Sequence, residues 1–303
     1  MKLLIAGARG QLGQAFVQEL KRHPDIVFVA CSRSELDITD MDKVWQVITQ
    51  EQPDFVINTA AYTQVDLAET ETAKAYFVNQ KGPANLAQVC QGLDIPLIHF
   101  STDCVFDGRK QGAWTEADPT GPLNVYGASK LAGEKAVQQH CHKHLIFRVS
   151  WVFSEFGHNF VKTMMQLGSS REQLRVVNDQ MGKPTCAREI AKIVLAILPR
   201  HQNQWGLYHL AQPGAISWYE FAQGIFSTAA HYQVGTQLIV EDLQPIPTSG
   251  YPTPAKRPAN SVLDITKLQQ AFGVAIADWQ QSLNQTLAQL DAQIVGCNSD
   301  ETL

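Results

Sequence analysis

Apolar and polar positions along the first half of the chain switch between two periods. Lys2-Leu-Leu-Ile-Ala6 is a short apolar run bounded by glycine, and the stretch from Gln11 to His23 then sets Leu12, Ala15, Phe16 and Leu20 on one side of a helix. The exchange recurs as a strand near Val27 to Ala30, a helix near Met41 to Gln50, a strand Phe55 to Asn58, a helix near Thr72 to Gln91, a strand Leu97 to Phe100, a helix over 124–140 and a strand Leu145 to Val149. Strands alternating with helices predict an α/β fold, a parallel sheet covered on both faces. After Trp151 the order loosens into helices near Asn159 to Gly168, Ala187 to Leu198 and Trp218 to Ala229, with a strand at Gly206 to Leu210. Five prolines between Pro245 and Pro258 exclude regular helix and predict an ordered surface or binding loop, while the tail from Gly296 to Leu303 reads as frayed.

Composition narrows the class. The 303 residues are 45% hydrophobic, enough for a large core in one large or two smaller domains. A net charge of −5 argues against a surface built for nucleic acid or anionic membrane, so neither is an expected partner. No apolar run approaches the roughly 18 residues that span a bilayer. Met1-Lys-Leu-Leu-Ile-Ala-Gly enters a strand pattern at once instead of reading as a signal peptide, and the expected location is the cytoplasm. Six cysteines lie far apart with no Cys-x-x-Cys spacing, which suits reduced thiols. Cys141-His142-Lys143-His144 lacks a second ligand pair and reads as a polar loop before a strand, so no metal is expected there.

Gly7-Ala-Arg-Gly10-Gln-Leu-Gly13 follows the first strand and opens the first helix, the context required of a dinucleotide-phosphate loop. Glycines let the backbone approach a pyrophosphate, and free N–H groups at the helix N-terminus hold the anion without a basic side chain. The end of the second strand, Ala30-Cys31-Ser32-Arg33-Ser34, carries no acid at its tip. Ser32 and Arg33 can grip a 2′-phosphate there, so NADPH is expected over NADH, with NADH use left open. Asp37 and Ile38 can border the adenine, and Ala60-Ala61-Tyr62-Thr63 follows the third strand at the edge where the cofactor's second half would run.

Tyr126 and Lys130 stand four residues apart, with Ser101-Thr102-Asp103 upstream at the end of an apolar run. On a helix, i,i+4 spacing places phenol and ammonium on one face about 40° apart. A close cation favours the phenolate, and moving a tyrosine from near 10 to about 7 takes roughly 4 kcal/mol of preferential stabilisation. A phenol tuned in this way exchanges protons at physiological pH.

Several blocks in a fixed order resemble the extended short-chain dehydrogenase/reductases, and within them the dTDP-4-dehydrorhamnose reductases. They are GARGQLG at 7–13, LDITD at 36–40, NTAAYTQVD at 58–66, STDCVFDG at 101–108, PLNVYGASKLAGE at 122–134, FRVSWVF at 147–153, NDQMGKPT at 178–185 and YPTPAKRPANSVLD at 251–264. The resemblance implies a Rossmann-type doubly wound parallel sheet with a smaller α+β C-terminal substrate domain. Residues 1–150 and about 186–212 would form the NADP(H)-binding domain, and about 151–185 and 213–303 the nucleotide-sugar domain. It implies NADPH-dependent reduction of the C4 keto group of dTDP-4-dehydro-L-rhamnose to dTDP-L-rhamnose, a precursor of cell-surface polysaccharide. Tyr126 would be the general acid, Lys130 would hold the ribose hydroxyls and lower the tyrosine pKa, and Thr102 would hydrogen-bond the keto oxygen. Gly7, Gly10, Gln11, Leu12, Gly13, Ser32, Arg33, Asp37, Ile38, Ala60, Ala61, Tyr62, Thr63 and Phe100 would line the cofactor together with Tyr126 and Lys130. Asp103 would contact the sugar, Trp151 would offer a flat face to the hexose, and Arg257 would pair with the nucleotide diphosphate.

The chain departs from the usual family pattern at Cys104, where a tyrosine is commoner. Some members use a magnesium ion at a dimer contact; no acidic cluster here clearly provides one, so metal dependence is not assumed and a homodimer stays open. Two rival readings also stay open. A nucleotide-sugar epimerase or 4,6-dehydratase shares the fold, although Thr102-Asp103-Cys104 lacks the glutamate that dehydratases carry. A non-catalytic NADP-binding subunit, like the methionine adenosyltransferase beta subunit, resembles the same family.

Overall fold

A computed structural model describes residues 1–232 and 238–299. Its first half alternates strictly: β1 (Lys2–Ala6), α1 (Gln11–Leu20), β2 (Val27–Cys31), α2 (Met41–Glu51), β3 (Phe55–Asn58), α3 (Thr72–Tyr76), α4 (Gly82–Gly92), β4 (Leu97–Thr102), α5 (Val125–His140) and β5 (His144–Val149). There follow β6 (Val152–Phe153), α6 (Phe160–Gly168), β7 (Gln173–Val177), β8 (Met181–Gly182), β9 (Thr185–Cys186), α7 (Ala187–Ile197) and β10 (Gly206–His209). The chain ends in β11 (Ile216–Ser217), α8 (Trp218–Ala229), β12 (Asp242–Ile246), α9 (Thr266–Phe272) and α10 (Trp279–Ser299).

Six strands form one parallel sheet in the order β10-β5-β4-β3-β1-β2. The winding reverses between β1 and β3, where Ala6 pairs with Asn58, and ligands of open α/β sheets bind outside the carboxyl ends of the strands at such a reversal. The fold is therefore the expected Rossmann type. β3 and β4 are buried along their whole length, as strands covered on both faces must be.

Alternate residues of each strand feed two different cores. Leu3, Ile5, Ile57, Phe100 and Phe147 join Phe16 of α1 and Ile190 and Val194 of α7 on one face. Leu4, Ala6, Val56, Leu97 and Ile146 join Val44 of α2 and Leu86 of α4 on the other. Full burial of each large apolar side chain, Phe16 and Phe147 among them, contributes about 1.5–3 kcal/mol. A third cluster, with Phe153, Met164, Phe221, Trp279 and Leu283, binds α6, α8 and α10 together.

Caps set several helix starts. Asp40 accepts from Lys43 N at 3.1 Å ahead of α2, and Ser217 with Glu220 forms a reciprocal capping box at α8. Three sequence expectations need correction, and two helices were not anticipated. The helix expected near Thr72 to Gln91 is α3 and α4 joined by a π-helical turn, Phe77–Lys81, whose extra residue per turn swings Asn79 inward. The proline-rich loop begins inside a strand, since β12 pairs in parallel with β7 and Pro245 stands opposite Val176. That ladder has only two strands, so a residue without an N–H is tolerated there. Helix α9 and the run into α10 carried weak periodicity and escaped the sequence reading. The tail expected to fray from Gly296 continues α10 as far as Ser299; residues 300–303 lie outside the described residues. Among the described residues no helix is long and apolar enough to cross a membrane.

Candidate active site

The glycine loop is built for close approach. Gly7 has φ +81°, and a Cβ there would lie 2.6 Å from Ala60 N. A Cβ at Gly13 would lie 2.4 Å from the Gly7 carbonyl, so any side chain would push α1 off the strand. Gly7 N and Ala8 N both donate to Cys31 O at 3.0 Å, and Gly10 N donates to Gly7 O at 2.9 Å. Gly10 precedes α1 without a side-chain cap, which leaves the first-turn N–H groups of the helix without a side-chain acceptor. Gln11 anchors the start of α1 through Nε2 to Val152 O, 3.1 Å, and Leu12 packs on the core.

The tip of β2 differs from the sequence reading in one respect: an acid is present. The Glu35 carboxylate accepts from Ser32 N at 2.7 Å and from Ser32 Oγ at 2.6 Å, and these bonds hold its carboxyl below the usual range. Ser32 is buried and committed to Glu35. Arg33 projects outward with its side chain 76% exposed and reaches back to Asp37 at 3.1 Å. Ile38 lies in the core behind this tip, and its carbonyl accepts from Asn85 Nδ2 at 3.0 Å.

After β3, Ala60 packs on Gly7, Ala61 is partly accessible and Thr63 is exposed. Tyr62 is buried; its phenol donates to Glu71 at 2.9 Å and its N–H to Asn79 Oδ1 at 2.8 Å. Asn79 Nδ2 donates to Tyr62 O and to Ser129 Oγ, both at 3.0 Å. Ser129 Oγ in turn donates to the Tyr126 carbonyl at 2.8 Å. Asn79 and Ser129 thus join the loop after β3 to the turn of α5 that carries Tyr126. Neither was singled out from sequence, because only the π turn brings Asn79 inward.

Thr102, Tyr126 and Lys130 come together where β4 ends and α5 begins. Asn124 caps α5 by accepting from Gly127 N at 2.7 Å, close to the start at 124 that the sequence suggested. Thr102 Oγ1 accepts from Cys104 N at 3.1 Å, donates to Asp103 Oδ1 at 3.0 Å and neighbours the Tyr126 phenol. Lys130 is buried and donates from Nζ to Phe100 O at 2.5 Å. Phe100 therefore contributes its carbonyl here, its ring being packed between Phe16 and Phe147. Burial depresses Lys130 to about 8, partly offset by the Glu134 carboxylate. Burial also lifts the Tyr126 phenol, helped by Cys104 and Asp103 and opposed by the hydrogen bond of Thr102. The simple expectation that the Lys130 ammonium pulls Tyr126 toward neutral pH is thus not met: the lysine is turned onto a main-chain carbonyl and desolvation dominates the phenol.

The residues expected on the sugar side are held by protein partners. Asp103 is buried, accepts from Ser150 Oγ at 2.7 Å, and has its carboxyl raised by burial against the pull of its hydrogen bonds. Trp151 adopts φ +45° and stacks on Trp218, 3.5 Å between centroids and 7° between planes, with Gly182 against the indole. One indole face is therefore covered by Trp218, a partner that sequence spacing gave no means of finding. Arg257 grips both oxygens of Asp66, 2.5 and 2.8 Å away, and donates to Ala255 O at 2.6 Å. The cluster Cys141 to His144 turns its His144 Nδ1 onto Cys141 O at 2.6 Å. Among the described residues no group of three His, Cys, Asp or Glu is gathered as if for a metal ion.

Residues 1–292 match the family described as "RmlD substrate binding domain". A dTDP-4-dehydrorhamnose reductase of Aggregatibacter actinomycetemcomitans is 43% identical over 294 residues, 95% of this chain and 98% of that protein. The chain belongs to the dTDP-4-dehydrorhamnose reductase family. Two solved members have the same shape. That of Clostridium acetobutylicum is 36% identical with a TM-score of 0.89 over 96% of this chain and 99% of its own. That of Bacillus anthracis, solved in complex with NADP, is 35% identical with a TM-score of 0.87 over 95% of this chain and 99% of its own. In this chain the glycine loop of 7–13 follows β1, and α5 with Tyr126 and Lys130 follows β4.

Proposed function

We propose that this chain reduces the C4 keto group of dTDP-4-dehydro-L-rhamnose to give dTDP-L-rhamnose, with NADPH as reductant. The observation that carries the reading is the meeting of Thr102, Tyr126 and Lys130 at the carboxyl end of β4, on the same edge of the parallel sheet as a glycine cradle that a single Cβ would fill. When bound, the cofactor supplies hydride to C4 of the sugar. The N–H groups that begin α1, with Gly7, Gly10 and Gly13, hold the pyrophosphate, and Arg33 answers the 2′-phosphate. Ser32 supports that tip through Glu35. Lys130 exchanges the Phe100 carbonyl for ribose hydroxyls. Thr102 turns its hydroxyl from Asp103 to donate to the keto oxygen and orients it toward Tyr126. As charge develops on that oxygen, Tyr126 delivers the phenolic proton, so no free alkoxide has to persist. A phenol kept protonated by burial is suited to this acid role, since its proton leaves only when the stronger base forms.

Residues 1–150 with about 186–212 form the cofactor unit in this reading, and about 151–185 with 213–303 the nucleotide-sugar unit. Separate core clusters on the sheet and around α6, α8 and α10 support that division in outline, although Leu268 and Phe272 of α9 pack into the core of the sheet. Trp151 presents the indole edge left free by Trp218, and Arg257 releases Asp66 to take the diphosphate. We assign the reaction to the cytoplasm, which the free thiols of Cys31, Cys90, Cys104, Cys141 and Cys186 support.

The test is NADPH oxidation with dTDP-4-dehydro-L-rhamnose by the parent and by Tyr126→Phe. The variant is expected to retain cofactor binding and to lose about 10²- to 10⁴-fold in turnover. An unchanged rate would overturn the mechanism.

A further inference from the structure

The turn between β3 and α3 contains a carboxylate with an unusual target. Glu69, the last residue of the 3₁₀ turn Leu67–Glu69, accepts a hydrogen bond at 2.8 Å from the backbone N–H of Val125, the first residue of α5. Val125 is covalently joined to Tyr126. The two residues are 56 positions apart, so this bond fixes α5 against another segment and not merely against itself. The other first-turn bond to a side chain, from Gly127 N to Asn124, caps the helix locally and says nothing of where the helix lies relative to β4.

The same turn reaches the opposite side of the site. Asp66, which begins it, holds the Arg257 guanidinium through both oxygens and also accepts from Ala255 N at 3.1 Å. Asn124 meets that loop from the helix side, donating to Lys256 O at 2.7 Å. Glu71, two residues past Glu69, accepts from the Tyr62 phenol. Within six residues the chain thus offers three carboxylates to three parts of the site: the cofactor edge, the helix carrying the phenol and the arginine loop.

We propose that Glu69 is a positioning residue for the reaction, setting the reach of the Tyr126 phenol by fixing the first backbone amide of α5. This inference rests on the role assigned to Tyr126 above. The phenol must lie within hydrogen-bond reach of the oxygen it protonates, and a first turn loosened by a fraction of an ångström lengthens that reach while leaving the glycine loop untouched. A carboxylate at a helix N-terminus also opposes the positive end of the helix dipole, so the contact is stabilising as well as directional.

Three variants of the full chain separate positioning from plain stability. Glu69→Leu removes the acceptor and is expected to lower kcat about tenfold, with the KM for NADPH within about twofold of the parent, because misplacement of a reacting group is felt in turnover. Glu69→Gln keeps an oxygen able to accept from Val125 N and is expected to restore kcat to within about twofold. Glu69→Asp keeps the charge but draws the carboxylate back by about one methylene, and is expected to behave as Glu69→Leu; it decides the matter if the leucine variant does not fold. Unchanged kcat in the leucine or aspartate variant overturns the proposal. So does a loss in the glutamine variant as large as that in the leucine variant, or a lowered melting temperature with kcat intact. Tyr126→Phe, assayed alongside, keeps the two readings apart. If that variant turns over normally, the assignment of Tyr126 fails; if it is inactive while Glu69→Leu turns over normally, only the present inference fails.

Discussion

Glu134 and Arg148 form the same kind of two-point carboxylate–guanidinium pair as Asp66 and Arg257, yet the two pairs occupy opposite environments. In the first the side chains are 2% and 4% exposed, at 2.7 and 2.9 Å, with the arginine over the Phe106 ring. In the second they are 43% and 27% exposed. A charge sealed from water needs its partner permanently, because separation leaves an unpaired ion in a poor dielectric. A pair open to water is held by little net free energy, so a better anion can displace the carboxylate. Burial therefore marks the first pair as part of the frame behind Lys130, and exposure leaves the second free to change hands in the way proposed above for a nucleotide diphosphate.

Breaking each pair sharpens that contrast. Arg148→Met strands Glu134 in the core and is expected to cost about 3–5 kcal/mol of unfolding free energy, read by denaturant titration. A loss below about 1 kcal/mol would show that the buried pair is not the frame it resembles. Arg257→Met should change stability by under about 1 kcal/mol. Its effect should appear as a roughly 10- to 100-fold rise in the KM for the nucleotide sugar, the equivalent of losing a charged hydrogen-bonding partner. Equal KM values in parent and variant would leave Arg257 a structural clasp.

Lys130 provides a pH test within the buried region. Its pKa is lowered to about 8 by burial, so the ammonium that would hold the ribose is lost as pH rises through about 8 in the free enzyme. The kcat/KM for NADPH should therefore fall above that pH, by up to tenfold per unit. The stability effect has the opposite sign: with the folded pKa below that of the unfolded chain, the unfolded state binds more protons between about 8 and 10.4, and stability rises with pH across that window. A flat kcat/KM profile to pH 9.5 would remove Lys130 from cofactor binding. The smallest expected effect belongs to Arg33, whose exposed pair with Asp37 resembles Arg257 more than Arg148. Arg33→Ala should weaken NADPH by roughly two- to fivefold and leave NADH nearly unchanged, as befits one solvent-exposed phosphate contact. Equal losses for both would place the 2′-phosphate elsewhere.

Residues close in sequence made the cofactor side readable. The glycine spacing of 7–13, the change from period 2 to period 3.6 and the i,i+4 pair on α5 are local properties, and each appears in the structure at almost the expected boundaries. Legibility fails where one residue acts through another far away. Glu35 was overlooked because its carboxylate folds back onto Ser32 through a turn, a geometry that composition does not encode. Trp218 covers a face of Trp151 from 67 positions away, and Asp66 meets Arg257 from 191. Asn79 enters the site only because one π turn rotates it inward.

By itself the sequence determined the alternating α/β order, the glycine loop after β1 and the phenol–ammonium spacing, since these follow from backbone geometry over a few residues. Only the tertiary structure decided the protonation environment of Tyr126 and Lys130, the partners that hold Asp103, Trp151 and Arg257, and the attachment of α5 through Glu69. Desolvation and ion pairing depend on which distant segments close around a side chain, and that is settled when the sheet and its helices pack.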